Sequence, residues 1–158
     1  MPALLAHIDG GARGNPGPAG FGVHLADDAG QEVAGLYGYL GHTTNNVAEY
    51  AALLALLEHA AALSPSRLTV RSDSQLLIRQ MLGEYKVKDA RLKVLHAAAS
   101  RLAAGFASIR FEHVPREENR DADALANQAM DERTGNVPVP RAVAGVLGTA
   151  ATPRLPGV

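Results

Sequence analysis

A chain of 158 residues with 47% hydrophobic residues and a net charge of −1 has the size of one globular domain with a substantial core. The near-zero net charge excludes a global positive field, so nucleic-acid binding would have to use local basic patches. The absence of cysteine excludes disulfides, zinc-thiolate sites and cysteine nucleophiles. The opening MPALLAHIDGG is too short in apolar residues for a signal peptide or a membrane span, so we expect a cytoplasmic protein without a membrane partner.

The first third of the chain predicts an antiparallel meander. Alternating apolar residues bounded by turn formers predict strands at residues 3–9, 21–27 and 32–41. The sequence GGARGNPGPAG is rich in chain breakers and connects the first two strands, and DAGQ forms the hairpin turn between the second and third.

The rest of the chain alternates between helices and strands. We predict, in order, a helix at 45–63, a strand at 67–73, helices at 74–83 and 89–105, a strand at 108–114 and a helix at 119–133. Residues 135–158 contain Gly, Pro, Val and Ala without a sustained period. We therefore expect one domain, residues 1–134, followed by a tail that is mobile or laid along the surface.

The predicted order βββαβααβα implies an α/β fold with a mixed sheet. Strands separated by helices pair in parallel, whereas the opening meander is antiparallel. Ligands gather at the carboxyl edge of parallel strands where the strand order switches. The strands that end at Asp9 and Asp73 would both present their acids at that edge.

Acidic residues recur at the ends of the predicted elements. Asp9 and Asp73 end strands, Glu49 lies near the start of a helix, and Asp121 and Asp123 open the last helix. Each alone is explained equally well by turn formation or by a helix dipole. Together at one edge they would repel each other unless a cation neutralised them. Oxygen ligands favour Mg²⁺ or Mn²⁺, and two such ions can activate a water for phosphodiester hydrolysis.

Four blocks of the sequence carry a resemblance to a known family. They are IDGGARGNPGPAGFG, TTNNVAEYAAL, RSDSQLLIRQ and VPREENRDADALAN. In this order and spacing the chain resembles the type 1 ribonucleases H, in the compact bacterial and archaeal branch. The resemblance implies a ribonuclease H-like fold with a five-stranded mixed sheet flanked by helices. It also implies a monomer that cleaves the RNA strand of RNA/DNA hybrids with two Mg²⁺ ions, or with Mn²⁺, and without a protein partner.

The resemblance also implies roles for individual residues. Asp9, Glu49, Asp73 and Asp123 match the metal-binding catalytic carboxylates, whereas Asp121 falls at a position that the family pattern leaves free. The residues that match substrate-binding positions are Asn15, Thr44, Asn45, Asn46 and Gln75. Amide side chains both donate and accept hydrogen bonds, which suits a 2′-hydroxyl.

The sequence departs from many relatives in its substrate-binding segment. A basic protrusion that bears Trp is replaced by GEYKVKDARLK, and the chain has no Trp. Lys86, Lys88, Arg91 and Lys93 form either a modest binding patch or a solvated helix face. We therefore expect weak, salt-sensitive hybrid binding, without a preceding hybrid-binding domain.

A second departure concerns proton transfer. Many relatives carry a mobile His in a loop after the last strand, but EHVPREENRDAD runs from strand to helix without that loop. His113 has about the right spacing from Asp123, yet we expect it inside the strand in a fixed or partly buried role. Arg116 falls in the free segment, and we favour it as a catalytic residue that positions phosphate or stabilises developing charge.

Two other functions remain open from the sequence. A non-catalytic nucleic-acid-binding module would keep the fold, although intact carboxylates at all four matched positions argue against it. A nuclease such as a junction resolvase shares acidic clusters but would not be expected to share the TTNN block. Activity on double-stranded RNA or on single ribonucleotides embedded in DNA is also left open.

Overall fold

The computed structural model describes residues 2–151, and a five-stranded sheet forms their centre. The strands are β1 (Leu4–Ala12), β2 (Gly17–Asp27), β3 (Glu32–Thr43), β4 (Leu68–Ser72) and β5 (Ile109–His113). They lie in the order β3-β2-β1-β4-β5. The pairs β1/β2 and β2/β3 are antiparallel, and β1/β4 and β4/β5 are parallel. The predicted mixed sheet of an α/β fold is confirmed.

Five helices complete the described part of the chain. They are α1 (Asn45–Leu63), α2 (Gln75–Met81), α3 (Ala90–Ala103), α4 (Arg120–Glu132) and α5 (Arg141–Ala151). A short 3₁₀ turn, Arg116–Glu118, joins β5 to α4. The predicted order is confirmed as far as α4, and α5 is an addition to it. Within residues 2–151, none of these helices combines the length and the apolar character needed to cross a membrane.

Helix α1 is the centre of the core. It packs against β1 and β2 on one side and against α3 on the other, so apolar residues all round its axis are buried. Helix α4 covers β1, β2 and β3 from the opposite face of the sheet. The two faces are distinguished by Gly10, whose missing side chain faces α1, and by Gly22, which faces α4.

The glycine-rich connection between β1 and β2 is shorter than predicted. Strand β1 continues past Asp9 to Ala12, and β2 begins at Gly17 instead of residue 21. Asp9 therefore lies within a strand and does not end it. Gly20, which resembles a chain breaker, serves packing, because a Cβ there would lie only 3.0–3.1 Å from atoms of α4. A Cβ on Gly22 would collide with the backbone of α4.

Part of the segment predicted as a tail from residue 135 is structured in the described residues. Asn136 accepts a hydrogen bond from Tyr37 N (2.8 Å) and donates one to Gly35 O (2.8 Å), which fastens the segment to the edge of β3. Helix α5 follows and packs against α3, with Val143 and Val146 buried. The Gly and Ala content conceals this helix, because the two buried residues among its described side chains are valines only three positions apart. Residues 152–158 of the predicted tail lie outside the described residues.

The buried side chain of Val143 allows a test of α5 packing. We expect Val143→Asp to lower the free energy of unfolding by at least about 2 kcal/mol, because a buried valine is lost and a carboxylate is desolvated. Ala144→Asp, on the exposed side of the same helix, should leave stability within about 0.5 kcal/mol of wild type. Urea denaturation of both variants provides the measurement. Equal losses would contradict the packing of α5 on α3.

Candidate active site

Three carboxylates meet beside the central strands of the sheet. Asp9 comes from β1, Glu49 from the second turn of α1, and Asp73 from the residue that follows β4. One ligand oxygen from each lies within 4.8 Å of the others. They line a cleft of about 650 Å³ that also includes Asp123. The structure thus brings together all four acids predicted as metal ligands.

Glu49 is held in place by a close approach between helix and strand. Gly10 N donates a hydrogen bond to Glu49 Oε1 (2.9 Å). A Cβ on Gly10 would collide with the backbone of Ala48 and Glu49, so only glycine permits this approach. Glu49 is therefore oriented by the backbone of the strand that carries Asp9.

Asp123 joins the cluster from the first turn of α4. Its side chain lies beside Asp9, and its charge adds to the rise in the pKa of Asp9. The preceding Asn119 is buried, with 1% of its surface exposed, and its amide donates to Ile8 O (2.9 Å). Asn119 is the N-cap residue of α4, but its side chain crosses to β1 and forms no capping hydrogen bond. The start of α4 is thus attached next to Asp9, whereas Asp121 is exposed and outside the cleft lining.

Burial and mutual repulsion make the charged forms of Asp9, Glu49 and Asp73 less favourable and raise their pKa values. Burial, followed by repulsion from Asp73, raises the pKa of Asp9 to about 8. Burial and the charges of Asp9 and Asp73 raise the pKa of Glu49 well above its ordinary value. Burial also raises the pKa of Asp73, an effect opposed mainly by the Arg116 guanidinium. Oxygen donors this close to one another are suited to a divalent cation, which removes the repulsion.

The predicted substrate-binding amides surround the start of α1. Asn45 Oδ1 accepts from Ala12 N (2.8 Å), and Asn15 Oδ1 accepts from Asn45 N (3.0 Å). Within residues 2–151 the side-chain nitrogens of Asn15 and Asn45 form no intramolecular hydrogen bond, and both residues are exposed. Asn46 is exposed as well, and Thr44 Oγ1 caps the helix by accepting from Val47 N (3.3 Å). Of these residues, only Asn45 lines the cleft of the carboxylates.

The remaining substrate-binding candidates lie farther along the surface. Gln75 opens α2 and borders a smaller groove together with His113, so it does not line the main cleft. Lys86, Lys88 and Lys93 are exposed and Arg91 is half-buried. The choice between a binding patch and a solvated helix face therefore stays a prediction.

Arg116 and His113 both line the carboxylate cleft. Arg116 starts the 3₁₀ turn and is exposed, as expected for the free segment. His113 is the last residue of β5, but the expectation of a fixed or partly buried side chain is wrong because it is exposed. The strand ends at the edge of the cleft, so its final side chain faces solvent. Both positive groups lower the pKa of Asp73, with the larger effect from Arg116.

Two residues of the site were not singled out from the sequence. Arg13 and Asn127 line the cleft, and Arg13 Nη2 donates to Asn127 Oδ1 (3.3 Å). Arg13 also forms an ion pair with Asp131 (2.7 Å). The spacing of Asn127 four residues after Asp123 places both on one side of α4, which is the signal that could have indicated it.

Comparison with known proteins agrees with this geometry. A family model described as "Reverse transcriptase-like" matches residues 7–129. Ribonuclease HI of Halobacterium salinarum is 43% identical over 127 residues, covering 80% of this chain and 64% of that protein. "Bifunctional protein Rv2228c" of Mycobacterium tuberculosis is 42% identical over 155 residues, covering 98% of this chain and 42% of the relative. The chain thus spans less than two thirds of the length of either relative.

Solved structures give the same result. LC11-RNase H1, solved in complex with an RNA/DNA hybrid, superposes with a TM-score of 0.78 at 42% identity, covering 82% of this chain and 98% of that one. The five-stranded mixed sheet is that of proteins with a ribonuclease H fold. The chain belongs to the type 1 ribonuclease H family.

The raised pKa of Asp9 predicts how stability depends on pH in metal-free protein. Because the ordinary pKa is 3.8 and the folded value is about 8, the group's contribution is fully present below pH 4 and is lost as pH rises to 8. We expect Asp9→Asn to become more stable than wild type as pH rises from 5 to 8. Thermal denaturation in a chelator measures the difference.

Two controls accompany this measurement. Asp28→Asn, on the exposed turn after β2, should show no growing advantage over wild type. Adding Mg²⁺ at pH 8 should raise the Tm of wild type more than that of Asp9→Asn, since the cation relieves the same repulsion. A constant stability difference between Asp9→Asn and wild type across this range would contradict the assigned shift.

Proposed function

We propose that this chain is an endonuclease that hydrolyses the RNA strand of RNA/DNA hybrids with the help of Mg²⁺. The observation that carries the proposal is the convergence of Asp9, Glu49 and Asp73 within 4.8 Å, in a cleft that Asp123 also lines. Relatives named ribonuclease H and a neighbour solved with a hybrid support the substrate class.

The donor set fits hard divalent cations. Asp9, Glu49, Asp73 and Asp123 would hold them, since Mg²⁺ and Mn²⁺ prefer carboxylate oxygens and need no thiolate or imidazole ligand. Two such ions, when bound, supply an activated water and stabilisation of the leaving oxygen in phosphodiester hydrolysis. The chain's own contribution is to hold the four carboxylates on rigid elements before substrate arrives.

The amides at the start of α1 would form hydrogen bonds with the sugars of the RNA strand. Asn45 uses its oxygen for Ala12 N, so its nitrogen remains for a ligand. Asn15 is arranged in the same way, and Asn46, Thr44 and Gln75 extend the contact surface. A 2′-hydroxyl that accepts from such a donor distinguishes RNA from DNA. Intramolecular bonds fix the amide orientation in advance, which lowers the cost of binding.

Arg116 would act on the phosphate undergoing reaction. Its guanidinium lies in the cleft and interacts with Asp73, so it can stabilise charge that develops on a phosphoryl oxygen. An arginine stays charged and cannot accept a proton near neutral pH. His113, exposed in the same cleft, is the alternative, because its ring nitrogen can accept and release a proton.

A panel of substrates tests the function directly. End-labelled RNA/DNA hybrid, RNA duplex, DNA duplex and single-stranded RNA are incubated with wild type in Mg²⁺ or Mn²⁺. We expect cleavage of the RNA strand of the hybrid only. Binding of the hybrid without cleavage would indicate a binding module, and cleavage of branched DNA added to the panel would indicate a resolvase.

A matched pair of variants is tested on the same substrates. Asp123→Asn should lose at least about 100-fold in kcat, since it removes a carboxylate of the cluster. Asp121→Asn, two residues away on the same helix turn and exposed, should stay within about two-fold of wild type. Equal losses in the two variants would contradict the assignment of Asp123.

The pH profile separates the roles of Arg116 and His113. We expect Arg116→Ala to lower kcat by about ten- to a thousand-fold, the loss associated with one electrostatic contact to the transition state. His113→Ala should leave the shape of kcat/KM against pH unchanged. If His113→Ala instead removes an ionisation near pH 6.5 and Arg116→Ala is nearly silent, His113 takes the catalytic role.

A further inference from the structure

We infer that Asn127, oriented by Arg13, is a positioning residue for the carboxylate of Asp123. The inference rests on the proposed function, because it concerns how one of the catalytic carboxylates is held. It adds two residues to the site, one from the loop after β1 and one from α4, that neither touch the other three carboxylates nor match the metal-binding positions of the family.

The contacts run in one direction from the loop to the acid. Arg13 Nη2 donates to Asn127 Oδ1 (3.3 Å). Asn127 Nδ2 in turn donates to Asp123 Oδ2 (3.3 Å) and to Asp123 O (3.0 Å). Arg13 itself is fixed by its ion pair with Asp131 (2.7 Å). All three residues of the relay, Arg13, Asn127 and Asp123, line the same cleft.

Arg13 decides which end of the Asn127 amide faces the acid. An amide has an oxygen that only accepts and a nitrogen that only donates. A guanidinium only donates, so it selects the amide oxygen and leaves the nitrogen for the carboxylate. If the amide turned over, its oxygen would face the Asp123 carboxylate and its nitrogen would face the guanidinium, and both contacts would be lost. The guanidinium on one side and the carboxylate on the other therefore allow a single orientation of the Asn127 amide.

Asp123 has a particular need for such a partner. Glu49 is held by Gly10 N, and Asp73 interacts with the Arg116 guanidinium. Asp123 instead lies on the half-exposed first turn of α4, in the same cleft as another acid, Asp9. A donor four residues further along the helix holds its carboxylate toward the cleft without adding a charge to the cluster.

A double-mutant cycle tests the relay. Wild type, Arg13→Ala, Asn127→Ala and the double variant are compared by calorimetric binding of Mn²⁺ without substrate, and by kcat and KM on the hybrid. Gln128→Ala, an amide removed from the neighbouring position of α4 and outside the cleft lining, is the matched control. Arg13→Lys keeps the positive charge but loses the fork that reaches Asp131 and Asn127 together.

We expect Asn127→Ala to weaken Mn²⁺ binding by about 10- to 100-fold, the usual loss for a partner of a metal-ligating group. It should also lower kcat, with the KM for the hybrid nearly unchanged. Arg13→Ala, which leaves the bond from Asn127 to Asp123 in place, should lose about three- to ten-fold, the size of one ordinary hydrogen bond. Because Arg13 acts through Asn127, the double variant should be no worse than Asn127→Ala. Gln128→Ala should match wild type.

Several results would overturn the relay. Mn²⁺ affinity unchanged in Asn127→Ala would do so, as would losses that add in the double variant. A change in Arg13→Ala confined to KM would show that Arg13 contacts the substrate instead, and full activity of Arg13→Lys would show that charge alone matters. If wild type binds Mn²⁺ but cleaves no hybrid, the proposed function fails while the calorimetric cycle still decides the relay. Because Arg13 is exposed, its variants test the relay even if Asn127→Ala folds poorly.

Discussion

The close approach of α1 to β1 at Gly10 is the constraint on which the site depends. It brings Glu49 from a helix on one face of the sheet within 4.8 Å of Asp9 and Asp73. Like charges at this distance repel strongly when they are partly buried, and the raised pKa values of Asp9 and Glu49 express that cost. Carboxylates carried by a flexible loop would move apart under such repulsion. A buried helix packed on a sheet holds its carboxylate in place.

The rigidity comes from the way the core surrounds α1. Its apolar residues pack against β1 and β2 and against α3, so the free energy of burial opposes the repulsion at its first turns. Helix α4 is held equally closely on the other face because Gly20 and Gly22 present no side chains to it. The acids thus come from separate, well-packed elements. The repulsion among them lowers stability at the site, and burial of the core offsets that loss.

The substrate side of the cleft is organised by amides and not by charge. The loop between β1 and β2 is fastened to the start of α1 by Asn15 and Asn45, whose oxygens are used internally. Under the proposed function their nitrogens would donate to the sugar, whereas Arg13 and Asn127 are used toward Asp123. With a net charge of −1, hybrid recognition would then come from such placed donors more than from a long-range field.

The sequence alone determined the order of elements through α4, the mixed sheet and the four carboxylates, because alternation, turn residues and family motifs are local or directly readable signals. The extent of β1 and β2 was misjudged, since Gly10 and Gly20 resemble chain breakers but allow close packing against α1 and α4, and that role exists only in three dimensions. Helix α5 was missed because its two buried valines, Val143 and Val146, are too few to show a helical period among Gly and Ala. The exposure of His113, the bond from Asn119 to Ile8 O and the contact between Arg13 and Asn127 were decided by tertiary structure alone. The contacts join residues up to 114 positions apart, and no local sequence pattern indicates which distant residues will meet.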